Sequence, residues 1–281
     1  EKGRVRMSSL PVSIQEAIAF VQSKAPNFRA KLGVVASSAL SEFSNLLTDS
    51  VTIHYHDIPG VVSGTIPGHG SRLVLGYLNG VPLVCLQGRL HRYEGASYRS
   101  MQILINLIKG LGAGSVIITN VSGSLRASVG AGELVVINDH INFSFDSPLM
   151  GKNDDSVGPR FVSMTNTYDM EMRRQLAGIA HEQGFYLHEG VYVGVGGPHF
   201  ETPAEIRMFQ MLGGDVIGMS TIPDVLFARH CGLKLAVLSL IVNLGAGMNP
   251  GVELSHEHTL EESAKAAARL TRLIVAYISR M

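Results

Sequence analysis

Strand-length apolar runs alternate with longer segments whose apolar residues recur every three to four positions, and this alternation restricts the chain to an α/β architecture. Residues 13–24 place Ile14, Ala17, Ile18 and Val21 on one helical face behind a serine cap. A buried strand is expected over 32–36. Two further strands, 73–78 and 81–86, flank Asn79-Gly80, a pair that supplies the positive φ angles of a two-residue hairpin turn. A helix over 98–109 ends at Gly110, and strands follow at 115–119 and 133–137. The second half predicts helices at 169–183, 203–212 and 222–230, with strands at 190–194, 215–218 and 235–242. A long final helix is expected over 260–279, with Glu261 and Glu262 in its first turn.

No internal repeat or low-complexity linker divides the chain. Residues 146–159, rich in Gly, Asn and Asp, are expected to form a mobile loop, not a domain boundary. The expectation is a single α/β domain over 7–281, its central mixed β-sheet flanked by helices, because the hairpin is antiparallel while the alternating units favour parallel pairing. Residues 1–6, ahead of Met7, read as an added remnant.

Composition removes whole classes of function. Twenty-three basic residues balance 23 acidic ones, so there is no general attraction for nucleic acid. A hydrophobic share of 46% against 16% charged excludes a disordered chain. No apolar stretch reaches the roughly 18 residues of a membrane span, and Glu1–Arg6, with charges but no apolar run after them, are not expected to act as a secretory signal. Cys85 and Cys231 form no CxxC, which fits a reducing, cytoplasmic setting and two inert thiols.

Polar residues are expected just after the strands, where open α/β sheets build ligand sites. Arg89 and His91 beside small-residue turns offer a charged fork and an imidazole to an oxyanion, or alternatively a structural ion pair and a strand cap. Ser37 and Ser38 before an apparent helix start read equally as an anion-binding terminus or an ordinary cap. Phe200-Glu201 sets an aromatic face beside a carboxylate, suited to a planar ring with N–H donors; a core Phe beside a helix-entry Glu is the plainer alternative. Asn243, closing an apolar strand, needs partners for its carboxamide, from a ligand or from backbone. His256-Glu257-His258 resembles a metal spacing but has no accompanying ligand cluster. No G-x-S-x-G, G-x-G-x-x-G or P-loop pattern follows a strand.

Together these segments resemble the trimeric type of purine nucleoside phosphorylase, from about Leu32 to the terminal helix. Five motifs carry the likeness in order: Thr65-Ile-Pro-Gly-His69-Gly, Gln87-Gly-Arg89-Leu-His91-Arg-Tyr93-Glu-Gly95, Gly197-Pro-His-Phe200-Glu201-Thr, Gly218-Met219-Ser220-Thr221-Ile-Pro223 and Ala228-Arg-His-Cys231-Gly. Ser122-Gly-Ser-Leu-Arg126, Val129-Gly-Ala-Gly132 and Leu254-Ser-His256 look most like the bacterial subgroup that includes xanthosine phosphorylase. The resemblance implies a nucleoside phosphorylase fold and cleavage of purine N-glycosidic bonds by inorganic phosphate, giving free base and ribose 1-phosphate. It implies no metal and no organic cofactor. Ser37, Arg89, His91, Ser220 and the backbone at Val121 would hold phosphate, with His69 on a phosphate-side loop. Tyr93, Met219 and His256 would contact ribose. Phe200 would stack on the base, and Glu201 and Asn243 would read its edge. Phe161 would reach a neighbouring subunit's site in a homotrimer.

The chain departs from the family pattern at the phosphate turn, where Ala36-Ser37-Ser38-Ala39-Leu40 replaces a glycine-rich sequence. It departs again at Val121-Ser122, Val242 and His199. The implied substrates are 6-oxopurine nucleosides such as inosine and guanosine, with xanthosine a further candidate. A methylthioadenosine phosphorylase, a weakly catalytic nucleoside-binding protein and a hydrolase using water stay open as alternatives.

Overall fold

The computed structural model describes residues 13–62, 71–249, 251 and 255–281, with 256–265 described by backbone alone. The expected remnant at residues 1–6 with Met7, the motif at 65–70 with His69, and the side chain of His256 lie outside the described residues.

Helix α1 (Ile14–Lys24) starts in a reciprocal cap, Ser13 accepting from the Glu16 N–H while Glu16 accepts from Ser13. Strand β1 (Leu32–Ala36) is buried throughout. It lies between β4 (Val81–Gln87) and β5 (Ser115–Ser124), parallel to both. A strand covered on both faces needs this unbroken apolar sequence. Strand β3 (Arg72–Leu78) returns antiparallel to β4 through Asn79 and Gly80 at φ of 50° and 80°, the turn expected from those residues. An edge strand, β2 (Thr48–His54), was not expected. Only Ile53 in it is buried, so it carries almost no apolar signal.

The remaining elements are α2 (Tyr98–Gly110), β6 (Leu134–Asn142), α3 (Met170–Glu182), β7 (His188–Gly194), α4 (Pro203–Met211), β8 (Val216–Gly218), α5 (Ile222–His230), β9 (Lys234–Leu244) and α6 (His256–Ile278). The sheet order is β2-β3-β4-β1-β5-β8-β7-β6-β9, and β5 also pairs with β9. That last pairing closes five strands into a barrel, with β2, β3, β4 and β1 continuing as an open wing. Helices α1, α2 and α5 bury one face of the sheet around Ile103, Leu107 and Phe227, and α3 and α6 bury the other around Leu176 and Leu273. Ile206 and Phe209 of α4 close over Leu125, Val193 and Ile217. Contact between sheet and helix is close at Gly33, where an added Cβ would stand 2.4 Å from Ile108.

Two expectations are corrected. The strand expected over 115–119 runs on through Asn120–Gly123 to Ser124, while Asn243 stands at the end of β9 as expected, opposite Gly123. Polar residues survive there because they bond one another: Ser122 and Ser239 both donate to Asn120 Oδ1. Ser37 precedes no α-helix; Ser38–Leu40 is a single 3-10 turn, and Ser37 makes no side-chain cap. Residues 146–159 are irregular as expected, yet anchored: Asp146 accepts from Tyr98 Oη at 2.7 Å, and Asn153 lies 3.0 Å from His230 Nε2.

Candidate active site

Strand β5 forks the sheet. Its first half pairs with β1 as far as Ile118, whereas only Gly123 and Ser124 pair with β8, antiparallel. Between them β5 exposes backbone groups that neither neighbour satisfies. Arg89 fills the fork, Nη1 donating to the Thr119 carbonyl at 2.9 Å, while the Ser37 N–H donates to Thr119 Oγ1 at 2.9 Å. The ends of β1, β4 and β8 thus meet at the middle of β5, which explains why motifs far apart in sequence share one site.

The Arg89 side chain is 3% exposed and pairs with the Asp224 carboxylate, itself 8% exposed. Ser220 Oγ lies 3.4 Å from Arg89 Nη1. The Nε of Arg89 is buried and has no partner among the described residues. A guanidinium in this setting has a spare donor and little water to satisfy it.

Over this cluster lies a cleft of about 290 Å³. His91, Tyr93, Met219 and Ser220 line it together, joined by Tyr98, Asp146 and the Gly194–Gly197 backbone. His91 stacks on Tyr93 with ring centroids 4.8 Å apart, and its Nδ1 lies 3.0 Å from Glu94. Burial pushes the His91 imidazole below the usual histidine range, Arg89 pushes the same way, and Glu94 opposes them. The carboxylate of Glu94 orients the ring.

Phe200 and Glu201 follow Gly197 on the loop into α4. Phe200 is 39% exposed, so it is no core residue, and the helix cap is Thr202, which accepts from Glu205. Burial raises the Glu201 carboxyl above its ordinary range. Asn243 projects beside Gly123, where a Cβ would stand 3.0 Å from Asn243 Nδ2. That amide donates to the Leu244 carbonyl at 2.8 Å. Val121 is half-buried in β5, and Phe161 is 89% exposed in the segment leading to α3. Met219, Ser220, His91 and Tyr93 are brought into one cleft, whereas Phe200, Glu201 and Asn243 lie outside its lining.

Sequence reasoning gave no role to Asn120, Tyr192, Thr221 or Asp224. For Tyr192 and Asp224 a signal was available, each being a polar group in a mainly apolar run, whereas Asn120 and Thr221 stand beside Thr119 and Ser220 in polar stretches. Among the described residues no group of three or more His, Cys, Asp or Glu is placed to hold a metal, and no helix is long and apolar enough to cross a membrane.

The family model of the phosphorylase superfamily matches residues 31–279. The chain belongs to that superfamily and, within it, to the purine nucleoside phosphorylases. It is 37% identical to purine nucleoside phosphorylase 1 of Geobacillus stearothermophilus over 269 residues, covering 96% of this chain and 97% of that one. Against the purine nucleoside phosphorylase of Bos taurus it is 38% identical over 252 residues, 88% of this chain and 87% of the other. Isoform 2 of the Schistosoma mansoni enzyme, solved with cytosine and ribose-1-phosphate, superposes with a TM-score of 0.91 at 35% identity, covering 95% and 96% of the two chains. A Schistosoma mansoni complex with inosine gives 0.90 at 32% identity, with 95% and 96% covered.

Proposed function

We propose that this enzyme phosphorolyses 6-oxopurine nucleosides, inosine and guanosine with xanthosine as a further substrate, releasing the base and ribose 1-phosphate. The observation that carries the reading is the buried Arg89, its Nε unpartnered and its Nη1 beside the Ser220 hydroxyl, under a cleft of nucleoside scale. Arg89, Ser220, His91, Ser37 and the Val121 backbone hold phosphate. Tyr93 and Met219 pack on ribose, and Phe200 stacks on the base.

In the reaction the C1′–N9 bond breaks with its electron pair passing to the purine, while a phosphate oxygen forms the new bond to C1′. The sugar gains oxocarbenium character and the purine negative charge, so the phosphate anion stabilises one and a donor on the ring the other. Asn243 donates to N7, and Glu201 accepts from N1–H, fixing the ring's orientation. His69 and His256 complete the phosphate and ribose contacts. Phe161, a fully presented aromatic ring, packs into the site of a neighbouring copy in a cytoplasmic homotrimer.

The deciding assay is release of hypoxanthine, guanine, xanthine and adenine from their ribonucleosides, with and without inorganic phosphate. Phosphate-dependent release of the oxopurines is expected. Release without phosphate identifies a hydrolase, preference for adenine or methylthioadenosine overturns the substrate assignment, and binding without turnover leaves a nucleoside-binding protein. Glu201→Gln is expected to impair inosine cleavage more than adenosine cleavage, because a 6-aminopurine has no N1–H for the carboxylate to accept. Equal losses in kcat/KM on both nucleosides would remove that contact.

A further inference from the structure

Beneath the cleft the chain makes a turn that the residues around it must force. Thr221 stands at φ 77° and ψ −52°, and the Ile222 N–H donates to the Ser220 carbonyl at 2.8 Å across it. This is the rare, strained hand of the γ-turn, and a β-branched residue is among the least suited to positive φ. Such a conformation persists only where its surroundings over-determine it.

Three contacts do so. Asn120 Nδ2 donates to Thr221 Oγ1 at 2.8 Å, and Asn120 is itself pinned by Ser122 and Ser239. Tyr192 Oη donates to the Ser220 carbonyl at 3.0 Å and lies 3.3 Å from the Ser220 N–H, holding both backbone groups of that residue. Thr221 Oγ1 also lies 3.1 Å from Ser220 Oγ and 3.5 Å from Arg89 Nη1. One hydroxyl, wholly buried, therefore touches both groups assigned to phosphate and the carboxamide that anchors the turn.

We propose that Thr221 is a positioning residue for phosphate: anchored by Asn120, its strained turn aims the Ser220 hydroxyl and its Oγ1 braces the Arg89 guanidinium. The proposal rests on the phosphate-binding reading of Arg89 and Ser220. Strain at a ligand site has a use here. A relaxed turn would carry Ser220 away from the guanidinium, and each phosphate would then have to meet the cost of gathering the two donors. Thr221 needs no contact with substrate for this effect.

The test uses the full chain with Thr221→Val, Thr221→Ala and Thr221→Ser, measuring KM for phosphate and for inosine separately. Valine keeps the shape and removes the hydroxyl. Alanine removes it while easing the positive-φ crowding, so that one hydroxyl-free variant is available if the other does not fold. Both are expected to raise the phosphate KM about five- to tenfold, the scale of one lost hydrogen bond, with the inosine KM within about twofold. Serine, which restores Oγ, is expected to keep the phosphate KM within about twofold of the unaltered enzyme. An unchanged phosphate KM in the hydroxyl-free variants would overturn the proposal, as would serine being as damaging as valine or both KM values rising together. If the unaltered enzyme cleaves inosine without needing phosphate, the phosphate reading fails and takes the proposal with it, an outcome visible before any variant is made.

Discussion

Replacing Asn243 by alanine is expected to slow phosphorolysis by at least ~10²-fold, the loss that follows removal of one donor to charge developing in a transition state. The carboxamide has two N–H donors. One is held by the Leu244 carbonyl at 2.8 Å, which fixes the plane of the amide, and the second is the donor proposed for the purine N7. The amide also abuts Gly123, where any side chain would displace it. The effect should appear in kcat, with melting temperature and phosphate KM little changed, because the side chain is only partly buried. A rate within a few-fold of the unaltered enzyme would remove Asn243 from the mechanism. A rate loss accompanied by a collapse in stability would assign it to the β9 framework instead.

Arg89→Met should fail in two separable ways. Phosphate loses its buried cation, so the phosphate KM is expected to rise by about 10²-fold or beyond measurement, the scale of a lost charge-assisted contact. Independently, Asp224 is left as an uncompensated carboxylate at 8% exposure, which should cost about 3–5 kcal/mol of stability. The double change Arg89→Met with Asp224→Leu removes the stranded charge and is expected to recover much of the stability without recovering phosphate use. Chemical denaturation reads the first quantity and steady-state kinetics the second. Should the single variant be as stable as the unaltered protein, the pair is no structural element. Should the double variant regain phosphate use, Arg89 does not bind phosphate.

The two changes act on different halves of the site, and that division follows the architecture. The half proposed for phosphate lies in the fork between the open wing and the barrel, where β1 and β8 leave one edge of the middle of β5 unpaired. Asn243 comes from β9 inside the barrel, opposite Gly123. The five-strand closure gives both halves a rigid common frame, since β5 belongs to each.

Much of this was legible along the chain because it depends on neighbours in sequence. The Asn79-Gly80 turn, the Ser13 cap and the wholly apolar β1 follow from residues within a few positions of one another. The contiguous motifs around Arg89, Phe200 and Ser220 likewise announce themselves. Strand β2 was not legible because its pairing with β3 needs no apolar face at the sheet edge. The polar stretch of β5 hid its strand character because two of the bonds that satisfy Asn120 join it to Thr221 and Ser239, 101 and 119 positions away.

What the sequence by itself determined is the class of fold, the hairpin and the segments that hold the chemistry. What only the tertiary structure decided is which of those side chains meet. Arg89 finds Asp224 and Ser220 more than a hundred residues downstream, and the Thr221 turn holds its unfavourable angle through Asn120 and Tyr192 on two other strands. Local patterning encodes periodicity and turn geometry over a few residues. Buried polar pairing instead depends on residues far apart in sequence, which the sheet's closure and the packing of the helices on it bring to hydrogen-bonding distance.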